Sequence, residues 1–275
     1  MSAIEAMPKV QKPAAPPREW TKTRIIGWCM VALWAFIIGS LVYWLIEAWN
    51  PELFDKYKPK YISGLLVTVK LVVASIILGA LLSFPLATMR MSSNKILSGI
   101  AYCYVYFFRG TPLLAQTFLI YYGLGEFRPQ MEAIGLWDFF KDAWNCGVFA
   151  FTLNTAAYQA EILRGAIESV GKGQWEGAAS LGISKTVTFF KIILPQAFIV
   201  ALRPYGNEII LMIKGSAVVS IITVYDLMGE TRRAYARSFD FQTYIWAAFI
   251  YLTIVEIQRH LWDWIERWLT KHLIR

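Results

Sequence analysis

Apolar residues fall in long blocks along this chain, separated by short polar stretches. Residues 25–46, 62–88, 146–167, 192–212 and 241–257 are such blocks, and 96–123 is another, interrupted by Arg109-Gly110-Thr111-Pro112. At 1.5 Å rise per residue, about 20 apolar residues cross a hydrocarbon core of about 30 Å as a helix. The pattern predicts an all-α integral membrane protein. Pro112 disfavours continuous helix, so residues 96–108 can lie along the interface while the rest of that block inserts.

The intervening stretches predict other things. Residues 50–60 read as a polar, proline-bounded loop, and 124–145 as a loop with one amphipathic, tryptophan-bearing piece at 136–144. Residues 217–224 are apolar but too short to span, which predicts a re-entrant segment covered by protein or water. Residues 1–24 mix Pro13, Pro16 and Pro17 with lysines and arginines, the composition of a disordered tail. The following run is too long for a signal-peptide core and lacks a small-residue cleavage site, so it reads as an uncleaved helix. The chain thus divides into a basic tail (1–24), a first transmembrane helix with its loop (25–60), a membrane core (61–258) and a basic amphipathic tail (259–275).

Composition agrees: of 275 residues 57% are hydrophobic and only 17% charged, too apolar for a soluble domain. The net charge of +8 lies in alternate loops beside apolar blocks, which argues for membrane orientation and against nucleic acid. With the N-terminus inside, 16 lysines and arginines fall on cytoplasmic segments and 8 outside. Both termini are therefore expected inside, and residues 174–191 with them. Cys29, Cys103 and Cys146 sit in or beside apolar runs at no metal-ligand spacing and read as buried hydrophobes.

No enzyme chemistry is visible. His260 and His272 have no acidic or cysteine partners at ligand spacing, and no phosphate-binding G-x-x-x-x-G-K-[ST] loop occurs. Transport energy must come from another subunit or an ion gradient. The informative residues are polar ones inside the spans, where a charge costs about 2.5–3.5 kcal/mol at a helix centre. Asn154, Tyr158 and Glu161 recur at i, i+4 and i+7, on one helical face. Asn207 and Glu208 stand mid-span after Pro204 and Gly206, and Gln116 holds a matching place in the third block. These six could line a substrate path. Glu161 and Glu208 could equally form internal ion pairs with Arg164, Arg203 or Lys214, while Arg109 fits interface capping better than substrate contact.

Residues 174–195 combine a short helix of small residues (Glu176, Gly177, Ala178, Ala179), a stop at Gly182, and Ile192, Leu194 and Pro195 ahead of an apolar run. Gly182 suits a helix C′ position and Pro195 a helical first turn. This spacing resembles the cytoplasmic EAA loop of ABC-transporter permeases, with Gly177 where the family has alanine. FRGTPLLAQ (108–116), NTAAYQAEILRGAI (154–167), GQWEGAASLG (173–182), ILPQA (193–197) and NEIILMIKGSAVVS (207–220) follow in order. Together they resemble the polar-amino-acid branch of ABC importer permeases, of the histidine/lysine-arginine-ornithine, octopine and nopaline type.

The resemblance implies a five-helix permease core, to which 25–46 adds one extra N-terminal transmembrane helix. It implies a bacterial inner-membrane subunit importing polar amino acids, and acids in the path favour basic ones or opines. Residues 173–183 would be the coupling helix docking on an ATPase dimer, the subunit that uses ATP and Mg. A second permease, paralogous or identical, a periplasmic binding protein and membrane lipid complete the implied partners; the chain itself binds no cofactor. An ion-coupled secondary transporter is the competing reading, although such proteins usually show inverted repeats and none is visible here. A non-transporting receptor or assembly factor is the third.

Overall fold

The computed structural model describes residues 20–271. Most of the tail expected to be disordered, residues 1–19, and the last four residues of the C-terminal tail lie outside that range. All regular structure among the described residues is helical, and the chain forms two units, 1–50 and 51–275.

The first unit is α1 (Lys22–Glu47), started by Thr21, whose Oγ1 accepts from the Arg24 amide at 3.3 Å. None of its residues is buried. A helix apolar all round and buried nowhere by protein has the surface lipid would cover.

The second unit is built on the pairing of α2 (Pro51–Arg90) with α7 (Ala143–Ser169). The buried stripe of α2 runs through Tyr61, Gly64, Thr68, Leu71, Ser75, Gly79 and Ser83, three or four residues apart. Against it α7 buries Ala150, Ala156, Ala157 and Ala160. Small residues on both sides let the backbones come close, the usual basis of helix packing in membranes. The approach is tightest at Gly79, where a Cβ would sit 2.5 Å from Thr155 Cγ2. Gly79→Val is therefore expected to destabilise the unit by about 1–3 kcal/mol through overpacking. The melting temperature of the detergent-solubilised protein should fall by several degrees; no change would mean the helices do not sit this close.

Two segments differ from the sequence expectation. Residues 51–60 are not a loop but the first turns of α2, which continues through Pro59. Tyr57 and Tyr61 hold them by packing with Leu227, Ala234 and Trp246, and Tyr61 Oη donates to the Thr243 carbonyl at 2.8 Å. Tertiary contact outweighs the polar composition. The C-terminal tail is likewise no separate helix: α12 runs unbroken from Gln242 to Thr270. Trp262 lies on Gly206 of α10 (Leu194–Gly215) and donates from Nε1 to the Leu202 carbonyl at 2.7 Å. One turn on, Glu266 pairs with Arg203 at 2.7 Å.

The third block is broken where Pro112 stands, into α3 (Lys95–Gly110) and α4 (Leu113–Phe118), the latter prolonged by a π-helical turn, Leu119–Gly123. The expected loop 124–145 contains two short helices, α5 (Arg128–Ala133) and α6 (Trp137–Phe140). After α7 come α8 (Lys172–Ser180) and α9 (Lys185–Thr188), then a π-helical turn leading into α10. The short apolar piece is a tight 3₁₀ helix, Ser216–Ile222, with Ser216, Val219 and Ile222 buried, and α11 (Leu227–Ser238) follows it. Among the described residues, three helical stretches are long and apolar enough to cross a membrane: Lys22–Glu47, Pro51–Arg90 and Lys185–Ile222. α7 and α12 have the length, at 27 and 29 residues, but carry polar and charged side chains along it.

Candidate functional site: a helix break beside a half-buried carboxylate

The break between α3 and α4 leaves carbonyls without helical partners, because Thr111 and Pro112 are extended. Two buried amides take them up. Gln116 Nε2 donates to the Phe108 carbonyl at 2.9 Å and the Thr111 carbonyl at 3.1 Å. Asn154 Nδ2 donates to the same Phe108 carbonyl at 3.0 Å and to Gln116 Oε1 at 3.0 Å. These two candidates are brought together, with the amides turned onto the break.

One and two turns along α7 from Asn154, Tyr158 and Glu161 open onto a cavity of about 310 Å³, walled also by Arg90, Tyr102, Tyr106 and Arg109. A second cavity of about 430 Å³ shares Arg109, Tyr158 and Glu161 and extends to Val200 and Pro204 of α10. Both fall within the range of small-ligand sites, about 300–1,000 Å³.

The Glu161 side chain is 13% exposed and meets three guanidinium groups: Arg90 at 3.0 Å, Arg164 at 2.8 Å and Arg109 at 3.9 Å. Arg164 was an expected partner; Arg90 and Arg109 were not. Arg203 is turned away to Glu266, and Lys214 forms no ion pair among the described residues. Arg109, expected to cap an interface, instead stacks on the Tyr158 ring at 5.1 Å, and Arg90 stacks on Tyr102 at 5.0 Å. The arginines are thereby held by flat aromatic faces as well as by charge.

The two fifth-block candidates lie elsewhere. Glu208 is buried on another side of α7, where Thr155 Oγ1 donates to it at 2.8 Å. Asn207 is exposed and lines a separate cavity with Arg203, Gln258, Trp262 and Asp263, between α10 and α12. Of the six, Tyr158 and Glu161 face the main cavity, Gln116 and Asn154 brace its rim, and Asn207 and Glu208 do not reach it.

At the end of α7, α8 ends in a two-bond C-cap. Gly182, at φ +71°, donates to the Ala179 carbonyl at 3.0 Å, and Ile183 donates to the Ala178 carbonyl at 3.0 Å. Ala178 and Trp175 turn toward the core, while Glu176, Gly177, Ala179 and Gly182 form an open face with nothing against Gly177. Ile192 and Leu194 are half-buried and Pro195 is exposed. Leu181, inside the 173–182 motif but not singled out within it, projects from the turn at 79% exposure.

A helix broken over polar side chains, with a small-faced helix at one end of the bundle, is the construction of a membrane transport subunit. Residues 75–273 match the family described as the binding-protein-dependent transport system inner membrane component, and the chain belongs to that family. It is 41% identical to the nopaline transport system permease NocM of Agrobacterium fabrum over 216 residues, 78% of this chain and 90% of that protein. It is 37% identical to the arginine ABC transporter permease ArtM of Haemophilus influenzae, over 78% of this chain and 94% of that one. A crystal structure of an amino acid ABC transporter with histidines superposes with a TM-score of 0.72 at 36% identity, covering 80% of this chain and 99% of that one. The inward-facing MetNI methionine transporter shares the fold, with a TM-score of 0.66 at 16% identity, covering 81% of this chain and all of that one. The chain is a non-catalytic permease subunit of an ABC importer.

Proposed function

We propose that this subunit carries a basic amino acid or a related opine across the bacterial inner membrane, past Tyr158 and Glu161. The observation that carries the reading is a half-buried carboxylate opening, with a tyrosine, onto a cavity of small-molecule size. A ligand bearing a cationic group and a carboxylate would meet Glu161 on one side and Arg90 or Arg109 on the other. Nopaline and arginine, which name the transport systems of the two related permeases, have that chemistry.

In this reading α2, the α3–α4 pair, α7, α10 and α12 form a five-helix permease core, and α1 adds a sixth crossing. Both termini are cytoplasmic, as the basic residues suggest. The open face of α8 docks on an ATPase dimer that binds ATP and Mg. A second permease chain completes the path and a periplasmic binding protein delivers the ligand. Gln116 and Asn154 keep the break in shape.

The test is uptake into proteoliposomes holding the whole complex, with labelled arginine delivered by the binding protein. ATP-dependent accumulation competed by lysine, histidine, ornithine or opines, and not by glutamate, is expected. Competition by glutamate alone would overturn the substrate class. Uptake surviving ATP depletion at a maintained membrane potential would point to an ion-coupled carrier.

A further inference from the structure

α10 and α12 meet at Trp262, whose ring covers Gly206. By length, this contact lies at a membrane boundary. About 20 residues cross the hydrocarbon core. Measured back from Ile222, the end of the helical stretch that contains α10, they reach Arg203. Measured forward from Gln242, the start of α12, they reach Trp262. The two points coincide, since Trp262 donates to the Leu202 carbonyl and Glu266 pairs with Arg203. Trp264 and Trp268 follow on α12, both exposed, and tryptophan is a residue that gathers at the bilayer interface.

A polar cavity and an apolar groove at this contact share Gln258 and Trp262. The groove, of about 320 Å³, is walled by aliphatic residues such as Val69, Val72, Ile213 and Leu261. The cavity, of about 290 Å³, takes residues 203–210 of α10 and 258–266 of α12, where the groove takes 209–213 and 254–265. The polar space is thus displaced toward the boundary and the apolar one toward the membrane interior. That is the profile of a phospholipid.

The cavity has unused hydrogen-bonding capacity of both kinds. Arg203 gives Nε to Glu266 at 2.7 Å, and its terminal amino groups have no partner among the described residues. Asn207 is exposed beside it. On α12, Asp263 meets one cation among the described residues, Arg259, at 3.9 Å, beyond hydrogen-bond reach. Gln258 Oε1 is buried with no hydrogen-bond partner among the described residues. Buried acceptors are nearly always paired, so this one calls for a donor. Donors on α10 facing acceptors on α12 suit a ligand that carries an anion and an ammonium a few bonds apart.

We propose that this cavity holds the headgroup of phosphatidylethanolamine drawn from the surrounding membrane. The phosphate meets Arg203 and Asn207, the primary ammonium lies between Asp263 and Gln258, and the acyl chains point inward toward the level of the apolar groove. Asp263 and Glu266 disfavour a headgroup that is only negative, such as phosphatidylglycerol. The quaternary ammonium of phosphatidylcholine has no N–H to donate. The site adds a lipid requirement to the importer reading; it rests on the membrane placement of α10 and α12 and not on the transported substrate.

The test titrates the purified complex of permease and ATPase in detergent with phosphatidylethanolamine and counts bound lipid by native mass spectrometry. Binding about tenfold tighter than that of phosphatidylglycerol or phosphatidylcholine is expected, the worth of one charge-assisted contact. Asp263→Asn is expected to erase that preference, whereas Arg203→Gln should weaken all three lipids alike. Both side chains are half exposed or more, so assembly and melting temperature should hold. Equal binding of the three lipids, or a preference that survives both substitutions, would overturn the proposal and leave the importer reading intact. Displacement of the lipid by equimolar glycerophosphoethanolamine or arginine would assign the cavity to a free zwitterion and overturn the lipid role. A disulfide joining two copies through Asn207→Cys, with the three native cysteines replaced, would show a second permease covering the cavity and overturn it too.

Discussion

Glu161→Gln is expected to lower substrate uptake about 10- to 100-fold while the complex assembles normally, the loss of one charge-assisted hydrogen bond to a cationic ligand. The carboxylate stands among Arg90, Arg164 and Arg109, so its removal turns the cavity from mixed to wholly positive. A cationic ligand on the proposed path would then be repelled instead of held. The fold has other supports for these arginines: Arg164 keeps Glu168 at 2.6 Å, Arg90 keeps Tyr102 and Arg109 keeps Tyr158. The substitution should therefore cost less in assembly than breaking an isolated buried ion pair, which runs to about 3–5 kcal/mol. Glu161→Asp keeps the charge with a shorter reach and is expected to restore part of the uptake. Normal transport by an assembled Glu161→Gln complex would remove this residue from the path.

What the sequence carried well was local. The apolar blocks, the break at Pro112 and the turn at Gly182 each follow from residues adjacent in the chain. The period that put Asn154, Tyr158 and Glu161 on one face is also local, and the structure keeps it. What it carried poorly was contact between distant segments. Arg90 ends α2 and Glu161 lies on α7, and no spacing rule joins positions 71 residues apart. Arg109 looked like an interface residue because its neighbours are apolar, yet the break turns it to the same carboxylate.

Polar composition misled twice for one physical reason. Residues 51–60 and 259–270 look too polar for helices continuous with a span, and both are such helices. In each case a few aromatic anchors, Tyr57 and Tyr61 in one and Trp262 in the other, secure the turns by tertiary packing. Propensity is a weak prior against that. The same blindness paired Asn207 with Glu208: adjacent residues on a helix point about 100° apart, and these two end on different surfaces.

Gly182→Val is expected to uncouple ATP hydrolysis from transport, because the turn after α8 needs a left-handed residue. A β-branched side chain at φ +71° costs roughly 1–2 kcal/mol or more. The cheaper outcome is to break the two hydrogen bonds that end α8 and let the chain swing. The open face of Glu176, Gly177 and Ala179 would then meet the ATPase at the wrong angle, so uptake and membrane association of the ATPase should fall together. Replacing Glu176 should act in the same direction without touching the turn. Leu181→Asp separates docking from folding more cleanly still. At 79% exposure Leu181 contributes little to the core, so its loss should leave the melting temperature within about a degree of wild type. The apolar tip that the proposed docking would place against the ATPase would nonetheless be lost, and association is expected to weaken at least about tenfold. Should Leu181→Asp and Gly182→Val both retain ATPase on the membrane with stimulated hydrolysis intact, this end of the bundle would not be where force enters.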